Sequence, residues 1–396
     1  MSKDAVKFTT TPVLIAFTET HQSRETYGGG VSNVVLQGMH MRRPDATDDV
    51  VLIFMHPTAT LDTLPLPREL ARRGVPVLTC GSRYPHNDSA LIMEKVLIDL
   101  GQYVKYARER LGYNKVILAG WSGGASLSAF YQAQAQTPTI AATPAGDPVD
   151  LSGLIPADGI MQLAAHSARA RIVTESIDAS IRNETDPIDR NPEFDLYDAS
   201  RGPKAPYDAA FVEAYRTAQV ARNRTITAWV RERLHDLAKR GHADHERCFV
   251  THGTMADPRW LDPSIDPNER TPGSCYLGTP HVVNNGPIGL ARFATLRSWL
   301  SQWSIDDSQA NTERQGPQVT VPALVIANAA DDCCPPSHTN AIFRSLGGEK
   351  ELHTIAGANH YYIGQRAQLE SAIGILIDWL QARGFLGSLP ETPQAG

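Results

Sequence analysis

The sequence predicts an α/β protein whose mostly parallel central sheet is interrupted by a long helical insertion. Short apolar runs alternate with helical patterns before residue 165, and the same alternation returns after Pro317. This alternation is typical of a parallel sheet with right-handed crossover connections. Between these segments charge rises, long apolar runs vanish and helical patterns dominate. We therefore predict a core formed by residues 1–165 and 317–396, with a mainly helical unit at 166–316.

The first half of the chain supplies most of the predicted strands. Pro12–Phe17 and Val34–Met41 form an expected edge pair, with a turn region at Gly28–Gly30 between them. The second strand alternates only partly between apolar and polar residues, which suits an antiparallel pair. The following strands are apolar runs, as expected for strands covered on both faces. They are Val50–Met55, Val75–Cys80, Val116–Ala119 and Gly159–Ala165.

Predicted helices separate these strands and fill the insertion. Leu66–Arg73 ends at Gly74, and Asp88–Leu111 has a periodic apolar face and ends at Gly112. The helices predicted in the insertion are Ala168–Ile181, Ala209–Lys239 and Ile288–Trp303. The last elements are strand Val321–Asn328, helix Ser337–Leu346, strand Lys350–Ile355 and helix Gln368–Arg383. Residues 388–396 are predicted to form a flexible tail.

The segment that indicates chemistry is Gly120-Trp121-Ser122-Gly123-Gly124, a G-x-S-x-G pattern. It directly follows the buried strand at Val116–Ala119 and precedes a helix of small residues that runs to about Gln136. A sharp turn between strand and helix strains the serine backbone and exposes its hydroxyl, and flanking glycines leave the necessary space. The pattern therefore predicts Ser122 as a nucleophile at a nucleophile elbow.

A serine nucleophile needs a base, and the base needs an orienting acid. His360 follows the strand at Lys350–Ile355 and precedes the last helix, at the same sheet edge as Ser122. The acid is expected after the preceding strand, Val321–Asn328, where Asp331 and Asp332 both stand. The resulting chain order of serine, aspartate and histidine is the order that accompanies a nucleophile elbow.

The developing oxyanion needs two converging backbone donors. The first is the N–H of Gly123, which follows the nucleophile. The second is expected in the loop after the strand Val50–Met55. Pro57 has no N–H to donate, so Thr58 is the candidate and Ala59 the second choice.

With these residues, the chain resembles an α/β-hydrolase-fold serine hydrolase, esterase-like, with a large helical cap. The resemblance covers Asp49–Leu163 and Pro317–Arg383, and it covers the cap only by position. It implies that the acid lies four residues before the proline of a D-x-x-x-P loop, which selects Asp331 over Asp332. The oxyanion segment His56-Pro57-Thr58 departs from the common His-Gly-x pattern and leaves the position of the second donor open.

The position of the insertion predicts its role. It begins after the carboxyl end of a strand, where open α/β sheets bind their ligands. A helical unit at that place is expected to act as a lid that excludes water from the site. The alternative is a subdomain for packing or for formation of a homo-oligomer.

Composition narrows the setting and the partners. A net charge of −6 argues against nucleic-acid and anionic-membrane partners. No run approaches the roughly 18 apolar residues of a membrane span, and no secretory signal pattern is found. The odd number of cysteines, 5, favours a reducing, cytoplasmic compartment. We expect no cofactor, since no phosphate-binding glycine motif follows a strand. The pattern His242-x-x-His245-x-x-Cys248-x-x-x-His252 could in principle bind a metal, but it lies in a charged stretch and is interpreted as a solvated loop, so we expect no metal.

The combined prediction is an enzyme that cleaves a carboxylic ester through an acyl-enzyme. The same triad could instead act in carbon–carbon hydrolysis of the β-diketone type, in lactone or amide hydrolysis, or in acyl transfer. A non-catalytic protein that binds a small ligand is the alternative of another class. We expect a small-molecule substrate with an apolar or aromatic part, and Trp121, Arg83 and Tyr84 are candidates to contact it.

Overall fold

The computed structural model describes residues 7–19, 26, 30–47 and 49–390. Its strands, in chain order, are β1 (Thr9–Thr18), β2 (Asn33–Arg42), β3 (Val50–Met55), β4 (Val77–Cys80), β5 (Lys115–Trp121), β6 (Gly159–Leu163), β7 (Cys248–Val250), β8 (Phe293–Thr295), β9 (Ala323–Asn328) and β10 (Lys350–Ile355). Eight of them form one sheet with the order β1-β2-β4-β3-β5-β6-β9-β10. Strand β2 runs antiparallel to both of its neighbours, and the remaining neighbours in this sheet are parallel.

Helices cover both faces of this sheet. The α-helices of the described residues are α1 (Pro65–Arg72), α2 (Met93–Glu109), α3 (Gly123–Gln136), α4 (Arg169–Ser176), α5 (Ala209–Lys239), α6 (Pro280–Asn285), α7 (Leu296–Gln302), α8 (Thr312–Gln315), α9 (Pro336–Ser345) and α10 (Arg366–Ala382). Leu97 of α2 and Phe130 of α3 belong to the core on one face, and Leu70 of α1 and Leu376 of α10 to the core on the other. Because of this double cover, every residue of β3 is buried.

The chain therefore has the predicted α/β-hydrolase fold, with a mostly parallel sheet and flanking helices. The described residues contain no helix that is both long and apolar enough to cross a membrane.

The segment between β6 and β9 builds a separate apolar cluster. Val173 of α4, Ile226 and Val230 of α5, and Trp299 of α7 pack together there, with Trp303 directly after α7. Helix α5 has the bounds predicted from the sequence. Helix α4 ends at Ser176, five residues before the predicted end. The segment also contains the two-stranded sheet formed by β7 and β8.

One predicted helix is wrong in its first half. Residues 288–295 are not helical, because Phe293–Thr295 pairs antiparallel with Cys248–Val250. The helix begins at Leu296, where the Thr295 side chain caps it by accepting from the N–H of Ser298 over 3.2 Å. A threonine at this position favours both the strand end and the helix cap.

Two further predictions differ from the structure, one at the start of a helix and one in the C-terminal tail. Helix α2 begins at Met93 and not at Asp88, so Asp88 belongs to a loop. In the predicted flexible tail, Leu389 packs against the core, and residues 391–396 lie outside the described residues. Two residues of the predicted glycine turn, 28 and 29, also lie outside them.

Candidate active site

Ser122 lies in the sharp turn between β5 and α3. Its backbone has φ 52° and ψ −119°, the strained left-handed geometry that the glycine pattern predicts. The turn lies tightly against β3, since a Cβ on Gly124 would be 2.2 Å from the carbonyl oxygen of Met55. A Cβ on Gly120 would be 2.5 Å from the carbonyl oxygen of Gly124. Both glycines are therefore required by space.

Asp331 and His360 form a buried pair at the carboxyl end of the sheet. His360 Nδ1 donates to Asp331 Oδ2 over 2.8 Å. His360 is 3% exposed and Asp331 is 1% exposed. Asp331 Oδ1 accepts the N–H groups of Cys333 and Cys334 over 2.7 and 2.8 Å. With its proton on Nδ1, the neutral ring presents Nε2 as an acceptor.

Charge around the ring determines its protonation. Burial lowers the pKa of His360, but the Asp331 carboxylate outweighs this effect and raises the pKa to about 9. Asp332, the other candidate acid, is not bonded to the ring. Its backbone carbonyl accepts from Trp260 Nε1 over 2.8 Å. Of the two candidate aspartates, Asp331 is therefore the one that bonds to the His360 ring.

The Cys334 thiol lies near both Ser122 and His360. Burial raises the pKa of this thiol well above its ordinary value, and a hydrogen bond with the Ser122 side chain opposes that rise. The Cys334 sulfur also lies within 4.8 Å of a ring nitrogen of His360. Serine and histidine thus border the same thiol.

His56 occupies the position expected for the oxyanion loop. Its Nδ1 accepts the N–H groups of Thr58 and Ala59 over 3.2 and 3.1 Å, so the N–H of Thr58 is directed at His56. The N–H of Thr58, which the sequence predicts as the second oxyanion donor, is therefore already bonded to the imidazole in this structure. His56 Nε2 lies 2.7 Å from the position that a Cβ on Gly123 would take.

The protonation of His56 follows from its surroundings. Burial and the nearby Arg169 and His360 lower the pKa of His56 to about 3, so the ring is neutral near pH 7. Because Nδ1 accepts two N–H groups, the single proton of the neutral ring is on Nε2. The N–H of Gly123, at the first position of α3, has no intrahelical acceptor. Two donors therefore flank the Ser122 turn.

Ser122 opens into a cavity of about 190 Å³. Core loops and the insertion both contribute to its wall. The lining residues are His56, Thr58, Ala59, Leu61, Asp88, Trp121, Ser122, His166, Arg169, Ile172, Tyr276, Leu290, Trp303, Cys333 and Tyr361. The aromatic and aliphatic members form an apolar surface beside Ser122.

The predicted substrate contacts divide into one residue at the cavity and two away from it. Trp121 lines the cavity, and its ring lies edge-on to His360 at 6.2 Å between centroids. Arg83 is not among the cavity residues, and its buried guanidinium donates to Asp99 over 2.8 Å and also binds Glu19. Tyr84 packs against the core and is not among the cavity residues.

Cys333, Cys334 and His360 are the residues that could hold a metal ion. Their ligand atoms all lie within 4.8 Å of one another, and no other such group occurs among the described residues. His360 already donates Nδ1 to Asp331. A metal bound by this cluster would therefore take Nε2, the remaining ring nitrogen of His360.

Sequence reasoning missed the cavity residues that come from outside the core motifs. Arg169, Tyr276 and Trp303 lie in the insertion, far apart along the chain, and no spacing rule connects them. A weak signal existed for His166 and Arg169, since both lie in the segment from the end of β6 to the start of α4, and open α/β sheets bind ligands at the carboxyl ends of their strands.

No protein-family model matches the chain, and no curated protein sequence matches it. Among solved structures it is similar to the α/β hydrolase GrgF from Penicillium sp. sh18, at 13% identity and a TM-score of 0.49, over 94% of this chain and 98% of that one. It is similar to DcsB in complex with its substrate analogue at 10% identity and a TM-score of 0.48, over 94% and 99% of the two chains. Est1E from Butyrivibrio proteoclasticus is similar at 12% identity and a TM-score of 0.46, over 88% and 95%.

Proposed function

We propose that the chain is a serine hydrolase that cleaves a carboxylic ester through an acyl-enzyme. The observation that carries the proposal is the buried 2.8 Å hydrogen bond from His360 to Asp331, next to a serine held at φ 52°. A serine hydroxyl becomes an effective nucleophile when a neutral imidazole of fixed tautomer accepts its proton.

The proposed reaction follows from these three residues. Ser122 Oγ attacks the ester carbonyl carbon while His360 Nε2 accepts the hydroxyl proton. The imidazolium then donates this proton to the leaving alcohol, and Asp331 stabilises its charge. In the second half, His360 takes a proton from a water whose oxygen attacks the acyl carbon, and the imidazolium returns this proton to Ser122 Oγ as the acid is released.

The oxyanion of each tetrahedral intermediate needs donors near the Ser122 turn. We assign this role to the N–H of Gly123 and to Nε2–H of His56. The assignment is supported by the proximity of His56 Nε2 to Gly123, since a Cβ on that glycine would be only 2.7 Å from the nitrogen. The neutral His56 ring, with its proton on Nε2, can donate this N–H to the oxyanion.

The insertion acts as a lid in this proposal. Its support is that Arg169, Ile172, Tyr276, Leu290 and Trp303 all contribute to the wall around Ser122. Such a wall excludes water and strengthens the electrostatic interactions inside the site. The apolar part of the wall favours a small substrate with an apolar or aromatic portion.

The test is turnover of p-nitrophenyl esters of rising chain length by the wild type and two serine variants. Ser122→Ala should fold normally and lose turnover. The matched control is Ser126→Ala, which removes a buried serine from the first turn of the same helix and should keep turnover. Equal turnover by Ser122→Ala and the wild type would contradict the proposal.

The same triad supports other bond cleavages, and the substrate panel separates them. Turnover of amides, lactones or β-diketones without ester turnover would change the type of bond that we assign, while Ser122 would remain the proposed nucleophile. Transfer to an added alcohol would indicate acyl transfer. Absence of any turnover, with an unreactive Ser122, would favour a protein that binds a small ligand.

A further inference from the structure

The cavity beside Ser122 contains a buried arginine with unused donors. Arg169 is 4% exposed and lines the cavity at the start of α4. Its only hydrogen bond to the described residues joins Nη2 to Asp88 Oδ2 over 2.8 Å. The Nε atom is buried without a partner among these residues. Guanidinium groups carry five N–H donors and stay charged, so most of this hydrogen-bonding capacity is unfilled.

The guanidinium is held in place next to the reacting centre. Its carbon lies 4.3 Å from the centroid of the Trp303 ring, which covers one face. Nη1 lies 3.4 Å from the position that a Cβ on Gly123 would occupy, beside the nucleophile turn. Burying a cation with one hydrogen bond is costly unless a further acceptor arrives, and a ligand can supply it.

Other cavity residues point in the same direction. The indole N–H groups of Trp121 and Trp303 and the hydroxyl of Tyr276 are buried without partners in the described part of the chain, and all three residues line the cavity. Each of these groups can donate a hydrogen bond. His166 Nδ1 is likewise unpaired there, and burial lowers the pKa of this ring well below its usual value.

The charge balance of the wall follows from these protonation states. His56 and His166 are neutral, which leaves Arg169 and its partner Asp88 as the charged side chains lining the cavity. An incoming anion therefore meets one free cationic edge and several unpaired donors. A cationic ligand would meet the Asp88 carboxylate, which is already bonded to Arg169.

We propose that the hydrolase acts on small esters that carry a carboxylate, and that Arg169 binds this carboxylate beside the scissile ester. The inference rests on the proposed function and specifies its substrate class. A carboxylate is planar and offers several acceptor sites, which suits the unused N–H donors of a guanidinium. Arg169 is thus a specificity-determining residue, and the acyl-enzyme chemistry remains with Ser122.

The test compares kcat/KM for esters that differ in charge. On the acyl side, p-nitrophenyl hemiadipate is compared with p-nitrophenyl hexanoate. On the alcohol side, 4-carboxyphenyl acetate is compared with its methyl ester. We expect the wild type to prefer the anionic member of at least one pair. Arg169→Gln should reduce that preference by about tenfold to a hundredfold, the usual range for losing a hydrogen bond to a charged group.

Two variants control the comparison. Arg169→Lys keeps the charge without the planar geometry and should restore part of the preference. Arg171→Gln makes the same charge change on the same helix, but Arg171 binds Glu175 and Glu313 and does not line the cavity. It should leave the preference unchanged. Reaction of Ser122 with a neutral fluorophosphonate checks that each variant keeps an assembled site.

A binding measurement separates failure of this inference from failure of the proposed function. Calorimetry on Ser122→Ala compares monomethyl adipate with dimethyl adipate and needs no turnover. Tighter binding of the monoanion, lost in Ser122→Ala with Arg169→Gln, supports the carboxylate site even if ester cleavage fails. Equal loss of neutral and anionic ester turnover in Arg169→Gln, or preference of the wild type for both neutral esters, would overturn it.

Discussion

Replacing Asp331 with asparagine tests the orientation of the proposed base. The amide has the shape of the carboxylate, and its oxygen can accept the two N–H groups of Cys333 and Cys334 that Oδ1 now accepts. The NH₂ group then faces His360 Nδ1 at the position of the present 2.8 Å bond. Because an amide NH₂ only donates, Nδ1 must become the acceptor and the ring proton must move to Nε2. In that tautomer Nε2 cannot take the proton of Ser122.

The expected loss is large and falls on kcat. In serine enzymes with a triad, the aspartate-to-asparagine exchange costs about 10⁴-fold in kcat through the same wrong tautomer. At about 1.36 kcal/mol for each factor of ten, this equals about 5 kcal/mol of transition-state stabilisation. Asp331 is 1% exposed and does not line the Ser122 cavity, so we expect KM to change little.

The assay is steady-state ester hydrolysis, with urea denaturation to check that the variant folds. The matched control is Asp332→Asn on the same loop, which removes a carboxylate that does not bond to the imidazole. Asp332→Asn should retain turnover within a few-fold. A folded Asp331→Asn enzyme with kcat within tenfold of the wild type, or a greater loss in Asp332→Asn, would refute the assignment.

Three further outcomes are expected. The kcat/KM of the wild type should rise with pH towards the His360 pKa of about 9, because only the neutral imidazole can accept the serine proton. A kcat/KM that does not change between pH 6 and about 9 would contradict this expectation. Gly124→Ala should lower the free energy of unfolding, measured by urea titration, by about 1–3 kcal/mol or more, since its Cβ would be 2.2 Å from the Met55 carbonyl oxygen. The control is Gly374→Ala in α10, which has open space around its Cβ and should be neutral or stabilising. Burial raises the pKa of Glu94 from 4.5 to about 7, so in this pH window the folded state binds more protons than the unfolded state, and the free energy of unfolding falls as pH rises. Glu94→Gln should remove up to about 3 kcal/mol of this fall. An unchanged pH dependence of stability in the variant would contradict the assignment to Glu94.

The parts of the site that follow from local steric rules could be predicted from the sequence. The glycines around Ser122 are required by space, and the structure has the strained φ of 52° that they allow. The carboxyl ends of parallel strands share one edge, so the loops after β9 and β10 had to lie close together. This is why His360 could be paired from chain order with an aspartate of the loop after β9, whereas the choice of Asp331 over Asp332 came from the resemblance.

The parts that depend on how side chains fold back could not be predicted. Whether Thr58 donates to an oxyanion or to a ring depends on the rotamer of His56, which the sequence does not encode locally. Arg83 was expected near the substrate because it follows a strand, but Asp99 from helix α2 binds it in the interior. Arg169 was missed because its neighbours in the cavity come from distant parts of the insertion.

The central claim is that Ser122 is the nucleophile, and covalent labelling tests it most directly. The pure protein is treated with a fluorophosphonate, digested and analysed by peptide mass spectrometry. We predict one adduct, on Ser122, that disappears in Ser122→Ala and forms more slowly in Asp331→Asn. An intact, folded protein that acquires no adduct, or acquires it on another residue such as the neighbouring Cys334, would contradict this claim.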